Sequence, residues 1–324
     1  GNYALNKIIS GSYFKGIPES RVSVLVGPSG AGKSFILCNA LKNMQEQGAF
    51  VVCMDSENAL DLQYLKRIGV DLSADRFDPI AVNGFSDVVA VVSEFISMYD
   101  KQFGKWNPDG PAIVFALDSI GMLMTDGEAK HFEAGEQRGD QGQHAKQTKQ
   151  MLKTIVQAIK PYNITFLATS HVYAADPLKG EGMYSVTPAL RYSASQITLV
   201  TALQLKEEGI RTGVRMRTQS FKSRFSKPGT QIEMEIPYDR GMSPITGLYE
   251  LLKDQGVIET SGAWAKVELA NGVIESFQSS KFTEEFALRI LNENPKVREN
   301  ERLFDDSNED LISDEVTDVD SQAT

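Results

Sequence analysis

The 324-residue chain is short of the residues that build crosslinks and metal clusters: it has two cysteines, Cys38 and Cys53, and three histidines. Both thiols lie in apolar runs. They make neither a disulfide framework nor a Cys/His metal spacing, and they fit buried thiols in a reducing cytoplasm. No apolar run approaches the ~18 residues of a membrane helix, so no membrane span is expected. The opening Gly1-Asn2-Tyr3-Ala4 lacks the basic-then-apolar pattern of a signal peptide. No signal peptide is therefore expected, and Gly1 in place of Met points to a processed or trimmed start. No internal repeat is visible. Hydrophobic residues make up 41% of the chain, enough for a sizeable core in one large soluble domain with extensions.

An excess of basic charge is also missing: 33 Lys and Arg face 43 Asp and Glu, for a net charge of −10. The imbalance is local. Residues 299–324 contain ten acidic residues and a single basic one, Arg302, which leaves the preceding body near −1. A nearly neutral body can still carry a basic groove, so total charge does not exclude nucleic acid. The segment 299–324 reads as an acidic, disordered tail. Either it screens a DNA groove by mimicking phosphate, or it only solubilises.

What is present begins with Gly27-Pro28-Ser29-Gly30-Ala31-Gly32-Lys33-Ser34. This matches G-x-x-x-x-G-K-[ST], with a Val-rich strand pattern before it and a helix-compatible run after it. The glycines let backbone N–H groups converge on phosphate oxygens at a helix start. Lys33 is placed for the β- and γ-phosphates and Ser34 for Mg²⁺.

Further apolar runs end in polar residues. Phe50 to Met54 reads as a buried strand finishing at Asp55-Ser56-Glu57, and Ala112 to Leu117 as another finishing at Asp118-Ser119. In a parallel sheet such ends face the ligand. Glu57 is then placed to activate a water, or else only to open a helix. Asp118 is placed to hold Mg²⁺ directly or through water, or is a plain turn aspartate. A third strand, Asn163 to Thr169, leads to Ser170 and His171 at the same edge. Arg76 to Val82 reads as a strand, Phe85 to Tyr99 as an amphipathic helix, and Met151 to Ile159 as a helix beginning before Ala145.

Residues 1–21 read as a short lead-in without a separate N-terminal domain. Gly121 to Gly142 reads as a long polar loop, and Val172 to Pro188 as a second. The second contains Tyr173, Lys179 and Tyr184, a basic and aromatic mix that suits single-stranded nucleic acid. Ile197 to Leu203, Arg211 to Phe221 and Gln231 to Ile236 read as strands. Lys222 and Arg224 are either solvated hairpin charges or fingers that reach phosphate. Leu248 to Leu252 and Phe282 to Leu291 read as helices.

Together these stretches resemble the RecA recombinase family, especially its phage UvsX-type branch. The most telling stretch runs from Asp55 through Glu57, Asp61 and Tyr64 to Asp71; the Lys222/Arg224 pair is also specific. The resemblance covers roughly residues 5–265. It implies an α/β fold: a RecA-like P-loop ATPase core over 22–262, with a central, mostly parallel sheet flanked by helices. A small C-terminal extension over 263–298 and the tail would follow. It implies ATP and Mg²⁺ as cofactors, Glu57 as the hydrolytic base, and Asp61 and Tyr64 against adenine. His171 takes the γ-phosphate-sensing position, and Lys222 and Arg224 reach a neighbouring subunit's ATP. The two loops become DNA-binding loops, with Lys130, Arg138, Tyr173, Lys179, Tyr184 and Arg191 as DNA contacts.

The implied protein is a DNA-dependent ATPase that binds single-stranded and duplex DNA, self-associates through the ATP site and promotes strand exchange. A loader and a single-strand-binding protein are implied partners, and the cytoplasm of a bacterial, phage-infected cell the implied location. The family's N-terminal docking helix and strand are not visible before residue 10. The alternatives are a RecA-like accessory ATP-binding protein, a DNA motor without strand exchange, and a phosphotransferase, for which no acceptor signature is seen.

Overall fold

The computed structural model describes residues 1–58, 61–136, 142–174, 183–207, 209–239 and 241–302. The chain forms an α/β fold around an eight-stranded sheet. The strands are β1 (Val22–Gly27), β2 (Phe50–Asp55), β3 (Phe77–Ala81), β4 (Ile113–Asp118), β5 (Ile164–His171), β8 (Gln196–Glu207), β9 (Ile210–Ser223) and β10 (Gln231–Pro237), in the order β10-β9-β8-β1-β5-β4-β2-β3. From β8 to β3 every neighbouring pair is parallel. This is the mostly parallel sheet expected from near-continuous Val/Ile/Leu runs, which need cover on both faces.

The chain divides into two compact units. The first holds Gly1, 17–203 and 216–229. Its helices are α2 (Lys33–Glu46), α3 (Leu62–Ile68), α4 (Phe85–Phe103), α5 (Asp126–Glu133), α6 (Gln143–Ile159) and α7 (Pro188–Ser193). Val24, Phe115, Leu117 and Phe166 on the sheet pack with Val88 and Val92 of α4 and Leu152 and Ile155 of α6, all buried to 2% exposure or less. A short ribbon, β6 (Tyr173–Ala174) with β7 (Tyr184–Ser185), closes the ends of the second long loop.

The second unit holds 2–16, 204–215 and 230–324. It contains α1 (Tyr3–Ser10), α8 (Leu248–Asp254), α9 (Glu284–Glu293) and an antiparallel sheet of β11 (Ile258–Ser261), β12 (Trp264–Glu268) and β13 (Ile274–Gln278).

Three readings change. Residues 3–10, expected as part of a lead-in, are a helix. Asn2 caps α1 by accepting from the Leu5 N–H at 2.8 Å, and its amide donates to the Ser243 and Thr246 carbonyls. The breakers Gly11, Gly16 and Pro18 obscured it. Within the polar stretch 121–142, Asp126–Glu133 is helical because Thr125 and Glu128 form a capping box, with each side chain accepting from the other's backbone N–H. Residues 299–302, expected in the tail, belong to a helical segment, and Glu301 accepts from the Ser12 hydroxyl and the Tyr13 N–H. The β11–β13 sheet was not read from the sequence; its strands span only 4 to 5 residues each.

Candidate active site

The parallel strands bring the candidate residues to one edge. In the β1–β5 register Gly27 stands beside His171, and in β2–β4 Asp55 stands beside Asp118. These are the carboxyl ends of their strands, where an open α/β sheet leaves a ligand crevice.

The phosphate loop spans the end of β1 and the start of α2. Gly30 and Gly32 adopt φ of +71° and +91°, the left-handed region that glycine enters without strain. Gly27 meets a different limit: a Cβ there would collide with the Val200 carbonyl oxygen. Gly32 caps α2 without any side-chain hydrogen bond, so the first-turn N–H groups are left for an anion. Ser34 is exposed in that turn. The buried Lys33 ammonium donates to the Gly27 and Pro28 carbonyls at 3.1 and 2.9 Å. Burial pushes its pKa down, and the Asp118 and Glu57 carboxylates oppose that shift. A buried cation folded over its own loop, with two carboxylates near, is suited to receive phosphate.

The acidic residues are held by hydroxyls. Asp118 Oδ1 accepts from the Thr169 hydroxyl of β5. Ser56 and Ser119 tie the ends of β2 and β4 together: Ser56 Oγ donates to the Ser119 carbonyl at 2.7 Å and accepts from the Ser119 N–H at 2.8 Å. The Ser56 N–H donates to the Asp118 carbonyl at 2.9 Å. The Asp118–Ser119 peptide is cis. Glu57 Oε1 accepts from Ser119 Oγ at 2.7 Å and lies 3.7 Å from His171 Nε2. Glu57, Ser119 and His171 therefore meet at one carboxylate oxygen. Gly121 makes room, since a Cβ there would sit 3.2 Å from His171 Cδ2.

Among the other expected site residues, Asp61 caps α3, accepting from the Gln63 N–H at 2.8 Å. Tyr64 is half-buried on α3, and burial pushes its phenol up to about 12. Lys222 Nζ donates to the Arg191 and Ala194 carbonyls at the end of α7, within its own chain. Arg224 is exposed.

Of the expected DNA contacts, Lys130 is exposed on α5 and Tyr173 is 60% exposed on β6. Tyr184 is half-buried on β7. Arg191 donates from Nε to the Val186 carbonyl and lies over the Phe221 ring at 5.1 Å. Arg138 and Lys179 lie outside the described residues. Phe132 and Tyr192 are exposed aromatics near Lys130 and Arg191 in the sequence, at 77% and 76%. At the sheet edge the structure brings in Ser56, Ser119 and Thr169, whose contacts to the acidic residues and to each other depend on strand register rather than on any local motif.

Among the described residues no group of three or more His, Cys, Asp or Glu is arranged to hold a metal. Among the described residues no helix is long and apolar enough to cross a membrane.

Comparison with known proteins adds an independent line. The RecA N-terminal domain family matches residues 1–77. Protein RecA of Mycobacterium ulcerans is 28% identical over 256 residues, covering 78% of this chain and 69% of that protein. Protein RecA of Streptomyces rimosus is 27% identical over 256 residues, covering 78% and 64%. Protein RecA of Amycolatopsis mediterranei is 27% identical over 288 residues, covering 87% and 75%. The chain thus spans roughly two thirds to three quarters of these relatives. These matches show a likeness to the RecA N-terminal domain over residues 1–77 and to RecA proteins at 27–28% identity.

Proposed function

We propose that this chain is an ATP-dependent DNA recombinase, of the phage UvsX type, that hydrolyses ATP to ADP and phosphate when assembled on single-stranded DNA. Homologous pairing with duplex DNA and strand exchange follow from that assembly. The observation that carries the reading is the placement of Glu57: a carboxylate fixed by Ser119 and close to His171, on the sheet edge that also holds Lys33 and Asp118.

ATP lies on the loop from Gly27 to Ser34, with Lys33 transferring its hydrogen bonds from the Gly27 and Pro28 carbonyls to the β- and γ-phosphates. Asp61 and Tyr64 flank the adenine. Ser34 and, through water, Asp118 would hold Mg²⁺, which would offset phosphate charge when bound. Glu57 orients a water and takes its proton. Lys222 and Arg224 of an adjacent copy offset the charge that grows in the transition state, which ties hydrolysis to self-association. His171 lies beside Glu57 and opens the second loop, so contact with γ-phosphate can bias that loop's grip on DNA. Lys130, Arg138, Tyr173, Lys179, Tyr184 and Arg191 contact DNA through charge and stacking. A loader and a single-strand-binding protein as partners, and a phage-infected bacterium as the setting, rest on the resemblance.

The test is ATP hydrolysis with and without single-stranded DNA across protein concentration. Turnover that is stimulated by DNA and rises steeply with protein concentration is expected. Turnover indifferent to DNA, or ATP binding without turnover, would favour an accessory ATP-binding protein instead. DNA-stimulated turnover without strand exchange would favour a motor.

A further inference from the structure

Ser119 stands beside the hydrolytic centre and donates to its carboxylate. It is fully buried, and its environment is specific. Its N–H donates to Ser56 Oγ at 2.8 Å, and its carbonyl accepts from the same hydroxyl at 2.7 Å. The backbone of Ser119 is thereby fixed to the end of β2 from both sides. What remains is its own hydroxyl, which donates to Glu57 Oε1 at 2.7 Å.

Besides Ser119, the Glu57 carboxylate has His171 Nε2 at 3.7 Å. The Glu57 side chain is one-third exposed, and it follows the end of β2 rather than lying within a strand. A free glutamate side chain samples several rotamers, and each is a different position for a bound water. A buried hydroxyl on a doubly tied backbone removes that freedom. It also claims Oε1 as a hydrogen-bond acceptor. His171 Nε2 also lies by that oxygen, 3.7 Å from Oε1, so both neighbours approach Oε1 rather than Oε2.

We propose that Ser119 is the positioning residue of the hydrolytic carboxylate. Its hydroxyl orients Glu57 so that Oε2 faces the attacking water, and Ser56 sets Ser119 in place. This rests on the reading of Glu57 as the base. Ser119 is fully buried and acts through Glu57, so its effect is expected on turnover and not on nucleotide affinity. Misplacing a reacting group by about an ångström costs on the order of a hundredfold in rate. Loss of the hydroxyl is expected to fall at or below that figure.

The experiment compares steady-state and single-turnover ATP hydrolysis by the full chain, on saturating single-stranded DNA. The variants are Ser119→Ala, Ser119→Thr, Glu57→Gln and the double variant Ser119→Ala/Glu57→Gln. Ser119→Ala is expected to lower kcat about ten- to a hundredfold with KM for ATP within twofold of the parent. Ser119→Thr keeps the donor and is expected to recover most of the rate. In the Glu57→Gln background Ser119→Ala is expected to change nothing, because the group it orients is already lost. Should Ser119→Ala not melt cooperatively, Ser119→Cys, similar in size with a weaker donor, replaces it with the same expectation.

A kcat within twofold of the parent for Ser119→Ala, while Glu57→Gln is inactive, would overturn the assignment. So would an equal loss in both backgrounds, which would make Ser119 a general structural residue. Full turnover by Glu57→Gln would remove the base itself, and is a separate failure from the other two.

Discussion

The Lys222 ammonium donates to the Ala194 carbonyl at 2.6 Å and also to the Arg191 carbonyl, at the end of the helix that follows the second long loop. Carbonyls at a helix end attract a cation, so this contact stabilises α7. Burial pushes the Lys222 pKa down, and the neighbouring Arg224 adds to the shift. To reach nucleotide on an adjacent copy, Lys222 must leave these carbonyls. In the proposed recombinase, assembly would therefore change what holds α7.

Mixing tests the shared site directly. Lys222→Ala and Lys33→Ala are each expected to lose about 10³-fold or more in turnover alone. Mixed, they are expected to recover part of it, because one chain offers an intact loop and the other an intact finger. Titration of one variant into the other, read as ATP hydrolysis on single-stranded DNA, measures this. Absence of recovery at every ratio would place both groups in one chain's site.

Glu57→Gln is expected to lower kcat by about 10²- to 10⁴-fold, the range for losing a general base. ATP-dependent binding to single-stranded DNA should persist, since the amide keeps the size of the side chain. Fluorescence anisotropy of a labelled oligonucleotide, with and without ATP, reads the second property independently of the first.

Gly27→Ala is expected to be more damaging than Gly30→Ala. At Gly27 the obstacle is the Val200 backbone carbonyl on the neighbouring β8, which cannot move without breaking the sheet. At Gly30 nothing lies within 4 Å, and only the positive φ resists. Left-handed backbone costs a non-glycine residue about 1–2 kcal/mol; the Gly27 clash should exceed ~3 kcal/mol. Chemical denaturation of the two variants checks the order.

Alkaline pH should weaken the fold through buried acids. Burial raises the Cys38 thiol from 9.0 to about 12 and the Tyr64 phenol from 10.0 to about 12. In both, the folded state holds the proton more tightly than the unfolded one. The stabilisation is thus complete below about pH 9 and is lost as pH rises from there towards 12. Melting temperature measured from pH 8 to 11 should fall across that window. Cys38 and Cys53 are both buried, and at pH 8 they should resist alkylation until denaturant is added.

Two truncations test the acidic C-terminal segment. Removing 303–324 deletes eight acidic residues. It is expected to speed duplex binding at low salt and leave the melting temperature unchanged, if the tail competes for a DNA groove. Removing 299–324 also takes Glu301, which accepts from Ser12 and Tyr13 and lies 3.7 Å from Lys7. That cut should lower the melting temperature, by the few degrees that ~1 kcal/mol makes in a chain of this size. Stopped-flow binding and thermal melts on both truncations provide the comparison.

The sequence by itself determined the phosphate loop, the strands of the parallel sheet and the edge to which Glu57, Asp118 and His171 belong. These are local properties. A glycine pattern, a Val/Ile/Leu run and the polar residue that ends it all lie within a few positions of one another. The capping box of Thr125 and Glu128 was equally local, but two glycines and scattered charges around it masked the helix. Only the tertiary structure decided which hydroxyl holds which carboxylate. Ser119 and Glu57 are 62 positions apart, and Thr169 and Asp118 are 51 apart. Their meeting depends on β2, β4 and β5 being neighbours in a fixed register. The same holds for Lys222 of β9 against the end of α7 and for Gly27 against Val200. In each case the partner is chosen by strand order, and strand order is set by packing of the whole sheet against its helices rather than by any short stretch of chain.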